Sequence, residues 1–211
     1  MKLLALLPQA WRHRLGTASA IVLYLAAAYL LVGRGLLGDV TGRLVSNGAG
    51  HDPGVLVWCL AWYPHAIANH LDPFLSRAVW WPDGVNLAWV PSIPGAALLA
   101  WPITAAVGPV ASYNLLSFLA LPAAAFTAFL LYRHLSARNL ASILGGYVFG
   151  FSPYFLGQVQ NHLNLILAFP IPLAILLVAR LLEGNIRRRV FVPMLAVVLA
   201  IQFLLIMELF A

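Results

Sequence analysis

The sequence predicts an all-α protein, a polytopic bundle of about five transmembrane helices with a long loop after the first span. Hydrophobic residues make up 63% of its 211 positions and charged residues only 9%. A typical soluble domain is about 45–50% apolar and about 25% charged, so this chain cannot build a water-facing surface. Its apolar runs are continuous and lack the period-2 alternation of barrel strands, which indicates helices rather than a closed barrel.

The amino-terminal segment, residues 1–16, is predicted to lie in the cytoplasm or at the membrane interface, before a first span at 17–37. Lys2, Arg12 and Arg14 precede this apolar run and imitate the basic start of a signal peptide. The run continues to about residue 37 without a convincing small-x-small cleavage site before a polar domain. We therefore interpret it as a retained anchor.

Four further spans are predicted in the remaining bundle, residues 110–211, because a crossing needs about 20 apolar residues. They are expected at about 110–132, 140–155, 163–182 and 190–210. The span at 140–155 is short, rich in small residues and contains Pro153. It is expected either to be irregular or to pack against its neighbours through Gly145, Gly146 and Gly150.

The basic residues predict the orientation of the chain, since short cytoplasmic loops carry an excess of Lys and Arg. With the amino terminus inside, the cytoplasmic segments hold most of the 12 basic residues, namely Lys2, Arg12, Arg14, Arg133, Arg138, Arg180, Arg187, Arg188 and Arg189. Loop 38–109 then faces outside. The formal charge of +6 is explained by topology and does not indicate nucleic acid as a partner.

This orientation requires that residues 94–107 do not cross the membrane. The stretch is short, contains Pro102 and is closed by Gly108-Pro109, so we predict a helix in the outer interface. A second interfacial helix is predicted over about 53–70, with Asp52 as its N-cap and Pro53 as its first residue. Trp58, Trp62, His65 and Asn69 recur at helical spacing along one face of this helix.

The rest of the sequence indicates no other chemistry. Cys59 is the one cysteine, so it forms neither an internal disulfide nor a multi-cysteine metal site. The sequence has no phosphate-binding glycine loop and no zinc-binding motif. No metal ligands are predicted, and the need for a divalent metal stays open.

Several short motifs, in this layout, resemble the GT-C superfamily of membrane glycosyltransferases, including its bacterial multi-span members. The motifs are Asp72-Pro-Phe, Pro82-Asp-Gly-Val-Asn, Tyr132-Arg-His-Leu, Gly150-Phe-Ser-Pro-Tyr and Gln160-Asn-His-Leu-Asn. The resemblance implies an enzyme of the bacterial plasma membrane that transfers a sugar, with inversion, from a polyprenyl-phosphate carrier to an acceptor at the outer face. The implied partners are the lipid bilayer and the polyprenyl-linked donor, and no separate cofactor is implied.

Members of this superfamily are longer and have more spans, so the chain corresponds to an amino-terminal portion. A missing carboxy-terminal half or a partner subunit is expected. If the missing half supplied part of the carrier site, this chain alone would be an inactive half.

The resemblance assigns the catalytic acid to the first outer loop, where Asp52 fits best and Asp39 is the alternative. A carboxylate there can take the acceptor's proton as a general base. The other candidates are substrate-binding residues, namely His51, His65, Arg77, Asn161, His162 and Glu208. Among them, Arg77, His51 and His65 are candidates to stabilise the departing phosphate.

Each candidate also has a purely structural interpretation. A role as helix cap explains Asp52 without catalysis, and the end of the first span explains Asp39. Contact with water explains Glu208 without a substrate. At the level of function, the alternative is a non-catalytic membrane scaffold or lipid-carrier-binding module. It would use the same loop with a dispensable Asp52.

Overall fold

The computed structural model describes residues 9–45 and 52–206, with side chains from residue 14 onward. The chain is all-α, as predicted. Its helices are α1 (Gln9–Leu31), α2 (Asp52–Ala68), α3 (Pro94–Val107), α4 (Pro109–Ser136), α5 (Asn139–Gly150), α6 (Pro153–Gln158), α7 (Leu163–Ile166), α8 (Pro170–Leu182) and α9 (Arg188–Leu205). Two short strands, β1 (Leu75–Ser76) and β2 (Val85–Asn86), and two 3₁₀ turns, Gly33–Leu36 and Leu87–Trp89, complete the described elements.

Five helical stretches are long and apolar enough to cross a membrane, which agrees with the predicted number of spans. They are Arg14–Leu31, Pro109–Ser136, Asn139–Gln158, Leu163–Leu182 and Arg188–Leu205. Two of them are interrupted, between α5 and α6 and between α7 and α8, and the next helix begins at a proline in both cases. Proline lacks an N–H donor and disfavours a helical conformation at the residue before it, so the backbone restarts there.

Some helices end at other residues than the predicted spans. The first span ends at Leu31 rather than at residue 37, because a 3₁₀ turn with two glycines, Gly33–Leu36, follows it. α4 extends to Ser136 and ends where Ala137 adopts a left-handed conformation with φ of 54°. The predicted end of the last span lies beyond residue 206 and so outside the described residues.

The short helix α3 has the predicted bounds, 94–107. Its 14 residues give a length of roughly 21 Å, which is too short for a hydrocarbon core of about 30 Å. Gly108, with φ of 94°, separates it from α4. One face of α3 is buried through Ala96, Ala97 and Ala100. It therefore packs against α2 and α4 as a part of the bundle.

Helix α2 begins at Asp52, one residue earlier than predicted, and ends at Ala68. Its aromatic row forms as expected, with the rings of Trp58 and Trp62 stacked at 5.5 Å between centroids. The row does not form an open face, however, because Trp62 is only 8% exposed. Its Nε1 donates a hydrogen bond to the carbonyl oxygen of Pro73, so the segment that follows the helix covers this ring.

A small β-hairpin between α2 and α3 was not predicted. β1 and β2 pair antiparallel, with Leu75 opposite Asn86 and Ser76 opposite Val85. Ser76 and Val85 are buried. The hairpin therefore holds the loop as an ordered surface against the bundle.

The closest helix packing is between α4 and α5, where small residues meet. A Cβ added at Gly150 would lie 2.6 Å from the Cβ of Ala125, and one added at Gly146 would lie 3.0 Å from the Cβ of Phe129. Real side chains do not approach so closely, so glycine is required at this contact. Both expectations for this span are therefore observed. It packs closely through small residues, and it is interrupted between α5 and α6.

The loop after α1 is fixed to the bundle by one buried side chain. Asn114 in α4 is fully buried and donates from Nδ2 to the carbonyl oxygens of Val40 and Arg43, both at 2.7 Å. Its Oδ1 accepts from the backbone N–H of Val45 at 2.9 Å. Residues 40–45 are therefore held on the amino-terminal end of α4.

Candidate active site

A cavity of about 700 Å³ lies where three segments of the chain meet. These segments are the first turns of α2, the stretch 79–91 around β2, and residues 162–165 at α7. Apolar side chains form most of its wall, namely Val55, Leu56, Val79, Val85, Leu87 and Leu165. A volume of this size is typical of small-molecule sites, and the apolar wall favours a ligand with a hydrocarbon part.

A carboxylate and an imidazole meet in this cavity. Asp52 Oδ2 lies 3.1 Å from His162 Nε2. Asp52 stands in the first turn of α2, where the positive end of the helix dipole stabilises its negative charge. His162 stands immediately before α7 in a non-helical conformation.

Both side chains of the pair are accessible, while one side of the His162 ring is enclosed. The side chain of Asp52 is 61% exposed and that of His162 is 37% exposed, so both can meet a ligand. The Nδ1 atom of His162 is buried and has no hydrogen-bond partner within residues 9–45 and 52–206. A buried nitrogen without a partner is costly, so this atom marks a strained point of the pair.

Two further residues belong to the cavity but were not predicted as site residues. Asn164, which is 7% exposed, lines it with an amide. It belongs to the Gln160–Asn164 motif, so its proximity to His162 was the available signal. Trp80 lines the rim with a ring that is 75% exposed, and its aromatic type alone gave no indication of this role.

The other predicted site residues do not join the pair. Asp39 closes a local turn, accepting a hydrogen bond from the N–H of Gly42 at 2.7 Å. His65 is 13 residues beyond Asp52 along α2, roughly 20 Å away, and its ring is 3.3 Å from the amide nitrogen of Asn69. Arg77 is exposed on the hairpin outside the cavity wall.

Three other candidates are placed differently. Asn161 is adjacent to His162 in sequence but does not line the cavity. His51 and Glu208 lie outside the described residues. No group of three His, Cys, Asp or Glu side chains that could hold a metal ion occurs within the described part of the chain.

Two buried titratable groups of α2, Cys59 and Tyr63, are neutral. Burial raises the pKa of the Cys59 thiol to about 12 and that of the Tyr63 phenol to about 12, so both groups stay neutral at physiological pH. The Tyr63 hydroxyl donates to Ser92 Oγ at 2.9 Å, and Ser92 Oγ donates to the carbonyl oxygen of Leu87 at 2.9 Å. This chain of hydrogen bonds fixes α2 to the stretch that carries the cavity wall.

The whole arrangement lies inside the part of the chain that one family model matches. A family described as a domain of unknown function, DUF6311, matches residues 11–211. The chain belongs to the DUF6311 family. The DUF6311 match includes all three segments of the cavity and every described helix from α2 to α9. Neither the curated proteins nor the solved structures contain a match to this DUF6311 chain.

Proposed function

We propose that this DUF6311 protein is a membrane glycosyltransferase that transfers a sugar from a polyprenyl-phosphate carrier to an acceptor hydroxyl. The observation that carries the proposal is the Asp52–His162 pair, 3.1 Å apart in an apolar cavity of about 700 Å³. The apolar wall suits the isoprenoid part of a carrier lipid. The polar pair suits the reacting sugar phosphate.

Asp52 acts as the general base in this proposal. The acceptor oxygen attacks the anomeric carbon while its proton passes to the carboxylate of Asp52. The new C–O bond forms as the bond from the anomeric carbon to the phosphate oxygen breaks, and the lipid phosphate leaves with the electron pair. Attack on the face opposite the phosphate inverts the anomeric centre.

His162 orients the base in this proposal. With Nε2 protonated, its N–H donates to Asp52 Oδ2 and holds the carboxylate in place. Nδ1 is then the unprotonated ring nitrogen, and it is buried. Asn164 offers an amide on the same wall for a sugar hydroxyl.

The location that goes with this activity is the bacterial plasma membrane, with the amino terminus in the cytoplasm and the Asp52 cavity outside. Five helical stretches of spanning length and apolarity are compatible with an integral membrane protein. The basic residues at the carboxyl ends of α4 and α8 and at the start of α9 support the orientation, since positive charge accumulates on the cytoplasmic side.

The experiment compares sugar release from the carrier by the parent protein and by Asp52→Asn. Membranes containing each protein receive undecaprenyl-phosphate glucose or undecaprenyl-phosphate mannose, radiolabelled in the sugar, together with a cell-envelope extract as the acceptor. Loss of the general base should slow transfer by about 10²- to 10⁴-fold. His162→Ala should also slow transfer, because the carboxylate loses its orienting partner.

Two aspartates provide matched controls. Asp83→Asn changes an exposed loop carboxylate outside the cavity, and Asp39→Asn tests the alternative catalytic acid. Both should retain the parental rate within about twofold, because neither carboxylate contacts the cavity. Equal transfer by the parent and Asp52→Asn would remove Asp52 from catalysis, and a selective loss in Asp39→Asn would move the role there.

The second candidate function, a lipid-carrier-binding module without chemistry, rests on the same apolar wall. It predicts that the parent binds undecaprenyl phosphate but releases no sugar from either donor. In that case Asp52→Asn would bind the carrier as the parent does. Binding measured beside transfer therefore separates the two functions.

A further inference from the structure

A second cavity, of about 430 Å³, lies between α4, α8 and α9. It is near the end of α4 that carries Arg133, which is 19 residues and so roughly 28 Å beyond Asn114 and the outer loop. Its wall is apolar, formed by Leu130, Leu173, Leu176, Leu177, Met194 and Val198. Two guanidinium groups, those of Arg133 and Arg180, also line it.

The two arginines differ in the number of partners that their guanidinium groups already have. Arg133 Nη1 donates to Thr17 Oγ1, and its guanidinium carbon lies 4.9 Å from the centre of the Phe129 ring. The side chain of Arg180 has no ion-pair or hydrogen-bond partner within the described ranges, 9–45 and 52–206. Arg180 is therefore the guanidinium that remains open for a ligand.

The nearest carboxylate does not neutralise this pair of charges. Glu183 stands three residues after Arg180, but its Oε2 lies 2.9 Å from His134 Nε2 and accepts from Asn185 Nδ2 at 2.7 Å. Glu183 therefore already has two partners, and no ion pair joins it to Arg133 or Arg180 within the described ranges. The cavity wall therefore carries two positive charges beside its apolar side chains, and Arg180 is exposed, so that a ligand can reach it.

We propose that this cavity binds an anionic phospholipid, with the phosphate on Arg180 and Arg133 and an acyl chain along the apolar wall. Guanidinium groups bind phosphate through paired, charge-assisted hydrogen bonds. α4, α9 and the stretch Leu163–Leu182 that contains α8 have the length and apolarity of membrane spans, so the ligand that reaches this wall comes from the bilayer. Basic pockets between spanning helices are typical sites for acidic headgroups. The inference does not depend on the proposed enzymatic activity.

The test counts lipid molecules bound to the purified protein by native mass spectrometry. The protein is mixed with equal amounts of phosphatidylglycerol and phosphatidylcholine of the same acyl composition. The parent should retain one phosphatidylglycerol in preference to phosphatidylcholine. Arg180→Gln should lower the affinity for phosphatidylglycerol about fivefold, the effect of roughly one basic residue near a lipid headgroup.

Two further variants separate this site from general charge and from misfolding. Arg138→Gln removes the same charge at the same end of the bundle, outside the cavity wall, and should bind as the parent does. Arg180→Lys keeps the charge and should recover most of the affinity. Soluble glycerol 3-phosphate in excess should not displace the lipid, because it has no acyl chain for the wall.

The proposal is overturned if the parent shows no preference for phosphatidylglycerol, or if Arg180→Gln and Arg138→Gln weaken binding equally. Displacement by glycerol 3-phosphate would also overturn it in favour of a soluble anion. A parental circular dichroism spectrum of Arg180→Gln excludes unfolding. If that variant unfolds, the affinity of Arg180→Lys decides, since loss of the preference in the folded lysine variant contradicts a phosphate-binding cation.

Discussion

Asp52 illustrates how one side chain can have a structural and a chemical role at once. It lies in the first turn of α2, where a carboxylate favours helix formation, and it contacts His162 across the cavity. Because Asp52 is 61% exposed, water screens the pair, which should contribute no more than about 1 kcal/mol to stability. Variants of Asp52 should therefore fold, which makes them suitable for a test of function.

Cys59 behaves in the opposite way, since burial makes it inert. With the pKa raised to about 12, almost none of the thiol is the reactive thiolate at pH 7.5. We expect a water-soluble maleimide to label it at least about 100-fold more slowly than a cysteine placed at the exposed loop position 83 by Asp83→Cys. Mass spectrometry of the intact protein measures both rates.

The same pKa gives the sign of the stability change with pH. The folded pKa of Cys59 lies above its unfolded value, so folding resists loss of the proton. The free energy of unfolding should thus be unaffected by this thiol below about pH 8 and fall as the pH rises toward 12.

Labelling of native Cys59 at pH 7.5 as fast as the exposed cysteine would contradict its burial.

Among the secondary-structure elements, the contact between α4 and α5 is the one most sensitive to volume. The Cβ introduced by Gly150→Ala would meet Ala125 at 2.6 Å, so the helices must separate. We expect a loss of about 1–3 kcal/mol, the usual cost of overpacking. Thermal unfolding in detergent, followed by circular dichroism, measures this loss as a lower melting temperature.

Gly157→Ala is the matched control, because an added Cβ there meets nothing within 4 Å. Gly157 lies inside α6, where alanine favours the helix by about 0.5–1 kcal/mol relative to glycine. The control should therefore melt at the parental temperature or slightly above it. A Gly150→Ala protein that melts like Gly157→Ala would show that the two helices are not in close contact.

The elements also show which features the sequence could predict. The bounds of α3 were predictable, because proline begins it and Gly108-Pro109 separates it from the next helix. The hairpin was not, since two-residue strands give no alternating pattern to detect. Asn114 was not recognised either, although a polar amide in an apolar span was a signal for the three hydrogen bonds that it makes to the loop.

For the molecule as a whole, composition was enough to predict the fold class. Long apolar runs must satisfy their backbone hydrogen bonds internally in lipid, and helices do this within one segment. The candidate site was only partly predictable. Asp52 and His162 were each candidates from their local context, but no local pattern relates two residues so far apart in sequence. Their contact arises from the packing of α2 and α7 around α4, which depends on the complete set of helices.

The proposed orientation predicts opposite accessibility for two loops. Asp83→Cys places a thiol on the hairpin loop, and Asn185→Cys places one between α8 and α9 without changing a basic residue. In right-side-out vesicles, a membrane-impermeant maleimide should label the first directly and the second only after permeabilisation. Native Cys59 gives little background, because it is buried.

The reversed labelling pattern would place the Asp52 cavity in the cytoplasm and contradict the proposed outer location of the reaction. Three crossings are predicted between the two positions, which places them on opposite sides. If both were labelled from outside, either one or all three of these crossings would be wrong. The parental protein, with Cys59 alone, is the control for both variants.

The distance in sequence between the two halves of the cavity also has a consequence for biosynthesis. His162 follows Asp52 by about 110 residues, so at bacterial elongation rates the ribosome adds it roughly 5–20 s later. During that interval the carboxylate has already been made, while the imidazole that contacts it has not. The nascent protein therefore passes through a stage in which its first helices are synthesised but its chemistry is incomplete.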